Sequence, residues 1–568
     1  MSTARTFIDD LSIVLGGEAG QGIQTIEQII TRTAKKAGYH VFSTGEFMSR
    51  IRGGSNSTEI RISSAPCASF VNRIDLLIPL DADALPHLGN RIDQRTVILG
   101  DSAELGTTHP VVDIPFASIA AQAGGKLFVN SIAAGLIAGL LGIERPLLEQ
   151  AINHQFRTKD PSIIEKNITA AKAGYEAGSG LIASGALSIS LRTSPEVSDQ
   201  LFMSGNDAVG LGSLAGGCNF LASYPMSPGT GLLTFMAVHA HDVDIIVEQA
   251  EDEIAALNMA LGAWYAGARA MVSTSGGGFA LMGEAVSLAG MIESPAVIHI
   301  GMRPGPATGL PTRTEQGDLE LARYSGHGEF PRAIFAPGTL VEAFLAGHKA
   351  FEIADRFQVP AFILTDQFLL DSSFLTGPFD FASVNNTPAT IATAPDYLRY
   401  AVTADGISPR GIPGNGDGLV RVDSDEHTEE GLITENSGVR VEQMDKRLRK
   451  MDLLRTVTLE PAFEGPADFT KLIVCWGSTY TAVKEAMALI ADPACALLHF
   501  MQVYPLHPST IAILERARTV VCVENNATGQ FANLIKVETG FTIPHRILSY
   551  DGFPFPVELL VKKISEVR

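Results

Sequence analysis

Cysteine is scarce in this chain of 568 residues: there are five, at positions 67, 218, 475, 495 and 522, with no C-x-x-C pair. Such spacing offers neither a zinc knuckle nor a run of thiolates for an iron–sulfur cluster. If the protein handles electrons, the metal is expected on another chain. Structural disulfides are not expected in a reducing compartment. Basic residues are also in deficit, 42 against 62 acidic for a net charge of −20. That balance argues against nucleic acid or an anionic membrane as the main partner. No apolar run reaches the roughly 18 residues needed to span a bilayer. The opening "MSTARTFIDDLSIVLGG" sets two aspartates directly before its short apolar stretch, unlike a secretory signal. The expectation is a soluble, cytoplasmic protein.

What is present is enough for about three to four α/β domains. "SIVLGG" reads as a strand, "GGEAGQG" as a glycine-rich loop, "IQTIEQIITRTAKKAG" as a helix and "YHVFST" as a second strand, which together begin a βαβ unit. "IDLLIPL" and "RTVILG" continue the strands, and "VNSIAAGLIAGLLG" is a buried helix. A first domain, 1–185, is expected to end at the small-residue hinge "AGSGLIASGALS". A second α/β domain spans 199–395, where "PAVIHIGMRPG" and "PAFILTDQF" are strands that end in polar loops. In parallel sheets those ends are where ligands sit. Residues 396–460 form a connecting segment with the Pro/Gly loop "ISPRGIPGNGDG", an acidic run and the charged helix "VEQMDKRLRKMDLL". A smaller α/β domain occupies 461–568.

Several stretches carry chemistry. In "GGEAGQGIQT", Gly17, Gly20 and Gly22 stand before a helix start, where backbone N–H groups receive anions. The order is G-x-x-G-x-G, not the dinucleotide G-x-G-x-x-G, and no acidic residue closes a clear second strand. A structural turn and a phosphate-contacting loop both remain open. Arg50 and Arg52 in "FMSRIRGGSNS" suit a carboxylate or phosphate, or are solvated surface groups. "GNGDG" invites comparison with the G-D-G magnesium site of thiamine diphosphate enzymes. No strand is expected before it, and the Asn-Asn pairs fall at 385–386 and 525–526, so Asp417 reads as a loop residue. In "VEQAEDEIAALNMALGA", Glu253 opens an Ala-rich apolar helix and should point inward, with Gly262 nine residues on. That spacing resembles pyrimidine-binding domains of thiamine diphosphate enzymes, where a buried glutamate hydrogen-bonds the aminopyrimidine ring. Arg303 ends a strand, where a planar guanidinium can clamp a carboxylate; Arg313 and Arg332 are further candidates, or structural. "ASYPMSPGTG", 222–231, is either a tight turn or a turn that holds a substrate.

Taken in order, "GGEAGQG", "RGGSNSTEIRIS", "YPMSPGTG", "EDEIAALNMALGA", "GLPTRTEQGDL", "HGEFPRAIFAPGT" and "VENNATGQ" resemble the alpha subunit of 2-oxoacid:ferredoxin oxidoreductases with a gamma domain fused ahead. The resemblance implies three α/β domains: gamma-type, thiamine-enzyme pyrimidine-type and transketolase C-terminal-like. It implies oxidation of a 2-oxoacid, 2-oxoglutarate above others, with CO2 release, acyl transfer to coenzyme A and electron transfer to ferredoxin. By the same resemblance, Glu253 serves the thiamine diphosphate pyrimidine, with Pro225 beside it. Arg303, Ser227, Thr230 and Tyr224 face the substrate, and Ser227 stands where the family's Y-P-I-T-P-S-T has threonine. Arg50, Arg52, Gly17, Gly20 and Gly22 are left for substrate or coenzyme A. Mg2+ and a [4Fe–4S] cluster are expected on a beta subunit, in an (alpha–beta)2 assembly, with no metal on this chain. Pyruvate, branched-chain or aryl 2-oxoacids are the alternative substrates. A nucleotide-binding electron-transfer or regulatory protein is the alternative class.

Overall fold

The computed structural model describes residues 5–18, 20–48, 54–384 and 386–567. They divide into two compact units: 1–203 with 372–378, and 204–371 with 379–568.

The first unit is built on an eight-stranded sheet. Its order is Val111–Asp113, Val97–Gly100, Leu76–Pro79, Asp10–Glu18, Ser55–Ser63, His40–Glu46, Ser373–Thr376 and Leu201–Ser204. The first four strands are parallel. The helix Ile23–Lys36 buries Ile23, Ile26, Ile29 and Ile30 on one face, the spacing of an amphipathic helix. The expected βαβ unit is opened by an insertion, because Ser55–Ser63 lies antiparallel between Asp10–Glu18 and His40–Glu46. In Ser55–Ser63, Ile60 and Ile62 face the core, and Glu59 and Arg61 alternate with them on the other face. Both are buried and paired, Arg61 with Asp10 at 2.7 Å and Glu59 with Arg91.

At the hinge expected near 185, the small-residue stretch is helix up to Ala183 and then a turn at 184–186, in which Gly185 takes φ of +73°. Pro161–Ala183 runs through the small residues, and the unit continues to Met203. The glycines serve a helix crossing: Gly174 and Gly178 lie against the carbonyls of Ile132 and Leu136, and Gly135 against that of Ala171. Any side chain there would separate the backbones of Val129–Leu140 and Pro161–Ala183.

The second unit holds a seven-stranded sheet in the order Ile246–Gln249, Phe220–Ser223, Ala270–Ser275, Ala296–Met302, Pro360–Asp366, Ala333–Phe335 and Gln502–Tyr504. All are parallel except the last. A five-stranded sheet spans 462–548. The strand Gln502–Tyr504 joins the larger sheet instead, so the C-terminal α/β layer shares one unit with residues 204–371. Gln316 seals that junction. Its amide nitrogen donates to the Trp476 carbonyl (2.8 Å), and its Oε1 accepts from the Asn525 amide (2.9 Å). Asn526, from the second Asn pair, accepts the amides of Thr528, Gly529 and Gln530, and so shapes a helix start.

The connecting segment differs from its sequence reading in two respects. Gly411–Gly416 is a strand, paired in parallel with Ile391–Thr393 in an exposed ribbon, and Asp417 stands exposed at its end. The charged helix Ser437–Thr456 is not a solvated one throughout: Lys446 and Lys450 are fully buried on the carboxylate of Glu293, at 2.8 and 2.6 Å. These partners hold the Glu293 carboxyl well below the usual carboxylate range against the cost of its burial.

Candidate active site

The site gathers at the carboxyl ends of three neighbouring strands, Phe220–Ser223, Ala270–Ser275 and Ala296–Met302. The loop 224–229 leaves the first of these and turns into the helix Thr230–Val243. It contains a cis peptide between Ser227 and Pro228. Arg303, one residue beyond the third strand, reaches this loop. Its Nη1 donates to the Ser227 carbonyl at 2.7 Å, and its Nη2 lies 3.5 Å from Met226 Sδ. Close approach requires glycine beneath: a methyl on Gly301 would stand 2.9 Å from Pro228 Cγ and 3.1 Å from the Gly229 nitrogen.

The loop and Arg303, far apart in sequence, are thus brought together. Tyr224 is 37% exposed. Ser227 is exposed, and Pro225 and Thr230 are half-buried.

Glu253 begins the helix Glu253–Tyr265, whose N-cap Asp252 accepts the Ala255 amide at 2.7 Å. It is 3% exposed, and its Oε1 has no hydrogen-bond partner among the described residues. A buried carboxyl oxygen left unpaired is costly, so its persistence marks a place for a ligand donor. Gly278 makes that place: a methyl on it would overlap Thr274 Oγ1 and lie 2.5 Å from Glu253 Oε1. Ser275 Oγ and Asp318 Oδ2 are also buried without a partner among the described residues. The Asp318 carboxyl rests directly on Gly276, where any side chain would collide with it. Burial first, and then Glu315, push its pKa up to about 7, with Arg303 opposing. Arg303 in turn is pulled down by burial and supported by Asp318. Ser275 and Asp318 escaped sequence reasoning. The signals were "STSGGG" directly after a strand and "EQGDL" after the arginine-rich loop.

The other candidates fall elsewhere or serve structure. Arg332 is buried and donates to the carbonyls of Ala322 (2.9 Å) and Ser325 (2.7 Å). Arg313 lies over the Phe553 ring, 5.1 Å from its centroid. In the first unit, Gly20 and Gly22 take φ of +93° and +83° ahead of the helix Ile23–Lys36. Gly17 ends its strand against Gln21, whose Oε1 accepts the Glu18 amide at 3.1 Å. Gly20 and Gln21 line a cavity of about 320 Å³ with Asp101, Glu104, Lys126 and Asn130. Arg50 and Arg52 lie outside the described residues.

A parallel sheet with a buried, unpaired glutamate and a guanidinium at its strand ends fits the thiamine diphosphate-binding α/β proteins. Residues 211–446 match the family described as pyruvate flavodoxin/ferredoxin oxidoreductase, thiamine diphosphate-binding, and 12–177 match pyruvate ferredoxin/flavodoxin oxidoreductase. A 2-oxoacid:ferredoxin oxidoreductase subunit alpha from Sulfolobus is 30% identical, covering 98% of this chain and 97% of its own. The 2-oxoglutarate oxidoreductase subunit KorA of Mycobacterium tuberculosis is 29% identical over 94% of this chain and 88% of its own. The solved 2-oxoglutarate:ferredoxin oxidoreductase from Magnetococcus marinus superimposes with a TM-score of 0.91 at 28% identity, covering 99% of this chain and 100% of that one. The chain belongs to the alpha subunits of the 2-oxoacid:ferredoxin oxidoreductases, thiamine diphosphate-dependent enzymes of more than one subunit. Among the described residues no single helix is long and apolar enough to cross a membrane.

Proposed function

We propose that this chain serves a cytoplasmic enzyme that interconverts 2-oxoglutarate plus coenzyme A with succinyl-coenzyme A plus CO2, ferredoxin carrying the electrons. The observation that carries the site assignment is the meeting of Arg303 with the 224–229 loop beside the unpaired Oε1 of Glu253. The choice of 2-oxoglutarate is supported by the Magnetococcus enzyme, whose structure holds 2-oxoglutarate, coenzyme A and succinyl-coenzyme A. Thiamine diphosphate, when bound, supplies the carbon nucleophile that attacks the 2-oxo carbon. Glu253 offers its free Oε1 to the pyrimidine ring, and Pro225 packs beside it. Arg303 would present an N–H edge of its guanidinium to the substrate carboxylate, a charge-assisted pairing. The hydroxyls of Ser227, Thr230 and Tyr224 supply donors around the same carboxylate. Gly17, Gly20, Gly22, Arg50 and Arg52 are proposed as substrate or coenzyme A contacts. Mg2+ and a [4Fe–4S] cluster belong on a beta subunit that docks ferredoxin, in an (alpha–beta)2 assembly.

The test is the co-purified complex assayed with 2-oxoglutarate, pyruvate, a branched-chain and an aryl 2-oxoacid, using ferredoxin or a viologen as acceptor. Highest kcat/KM is expected for 2-oxoglutarate, and no turnover from this chain alone. Preference for another oxoacid would move the substrate; robust turnover without a partner would end the assignment.

A further inference from the structure

A row of polar side chains crosses four adjacent strands beneath the loop 224–229. Ser223, Ser273, His299 and Thr365 are each 0–2% exposed. His299 Nδ1 lies 2.9 Å from Ser273 Oγ, and its Nε2 lies 2.8 Å from Thr365 Oγ1. Ser273 Oγ is 3.0 Å from the Gly229 carbonyl, and the Ser273 carbonyl accepts from Ser223 Oγ at 2.5 Å.

A serine hydroxyl carries one proton, and Ser273 has two acceptors in reach, the Gly229 carbonyl and His299 Nδ1; when it donates to Gly229, it accepts from His299 Nδ1–H. The imidazole is then neutral, with Nε2 accepting from the Thr365 hydroxyl. Burial, which lowers the His299 pKa to about 3, agrees with that form. Such a row is not needed for stability, since apolar residues of the same shape would avoid the cost of burying polar groups. Toward the loop it reaches the Gly229 carbonyl, two residues after Ser227, and, through Ser223 Oγ at 3.3 Å, the Tyr224 carbonyl.

We propose that His299 is a positioning residue that, through Ser273, anchors the loop carrying Ser227 against Arg303. This rests on the reading that the loop and Arg303 hold the substrate carboxylate. His299 Nδ1–H, donating to Ser273 Oγ, holds that hydroxyl turned toward the Gly229 carbonyl. Without it Ser273 keeps its acceptor but loses the donor that fixes its orientation, and the tether on the loop loosens.

The experiment uses His299→Leu, Ser273→Ala, their double variant and His299→Asn, whose amide nitrogen substitutes for Nδ1. In the complex with its partner subunit, His299→Leu and Ser273→Ala should each raise the 2-oxoacid KM about tenfold, the factor for one lost buried hydrogen bond. The KM for coenzyme A should hold, His299→Asn should recover most of the loss, and the double variant should match Ser273→Ala alone. In the isolated chain, hydrogen exchange at the amides of Met226, Ser227, Gly229 and Thr230 should quicken about tenfold, by the same free energy. An unchanged oxoacid KM beside a lowered melting temperature, multiplying effects in the double variant, or unchanged loop exchange would each overturn the proposal. Arg303→Ala separates the two readings: if it raises KM while the His299 and Ser273 variants do not, only the positioning role falls. If Arg303→Ala leaves KM unchanged, the substrate site itself is misplaced, and the exchange measurement still decides the anchor.

Discussion

Replacing Gly278 by alanine tests the cofactor face of the site with one methyl group. The added Cβ would stand 2.5 Å from Glu253 Oε1 and 2.8 Å from its Cγ, and ordinary contact begins at 3.4 Å. The carboxyl must therefore withdraw by about 0.9 Å, the difference between contact and the built distance. Thr274 Oγ1 on the other side blocks an easy compromise. A displacement of about 1 Å at a catalytic group costs on the order of 100-fold in rate. Helix propensity acts in the opposite direction, since alanine is favoured over glycine by up to about 1 kcal/mol, so any loss reports the overlap. Overpacking of about 1–3 kcal/mol should also lower the melting temperature by several degrees. The assay is kcat/KM for the oxoacid and a calorimetric titration of thiamine diphosphate in the complex, with Gly277→Ala as the control. That neighbour's Cβ would meet nothing closer than the Ala307 carbonyl at 3.6 Å and should change neither quantity. Equal behaviour of the two variants would refute the placement of Glu253.

Other outcomes follow from the same geometry. Arg303→Ala should raise the oxoacid KM at least about tenfold, as loss of a charge-assisted pair implies, with thiamine diphosphate affinity unchanged by titration. Asp318, its carboxyl pushed up to about 7 with Glu315 adding to the burial effect, is protonated below that pH and charged above it. Deprotonation gives Arg303 an internal counter-charge that competes with the substrate. KM should therefore rise between about pH 6 and about pH 8, and Asp318→Asn should flatten that rise in steady-state profiles. Gln316→Ala removes two buried hydrogen bonds at the junction of the sheets. It should cost about 2–4 kcal/mol, measured by chemical denaturation, and an unaltered midpoint would dismiss the junction as a stabilising contact.

The parts of this site that could be read from the chain are those whose meaning is local. A Pro/Gly turn after an apolar run placed the loop 224–229, and an arginine at a strand end placed Arg303. An acidic residue opening an Ala-rich helix pointed Glu253 inward. Each depends on residues within a few positions of one another, and period and capping respond to those neighbours. The elements that escaped depend on partners distant in sequence. The placement of Ser55–Ser63 escaped because its Glu59 and Arg61 are buried against partners distant in sequence, Arg91 and Asp10. The burial of Lys446 and Lys450 in the helix Ser437–Thr456 escaped because nothing near it in sequence announces Glu293. Likewise His299, read along its own strand, was only an interruption in an apolar run.

The class of the fold and the chemistry of the chain were therefore set in the sequence, by hydrophobic period, turn residues and a few polar side chains at strand ends. Which charges could be buried, and which hydroxyl meets the loop 224–229, was decided only by tertiary structure. A polar group can be taken out of water only when a partner meets it, and that partner is supplied by another strand or helix.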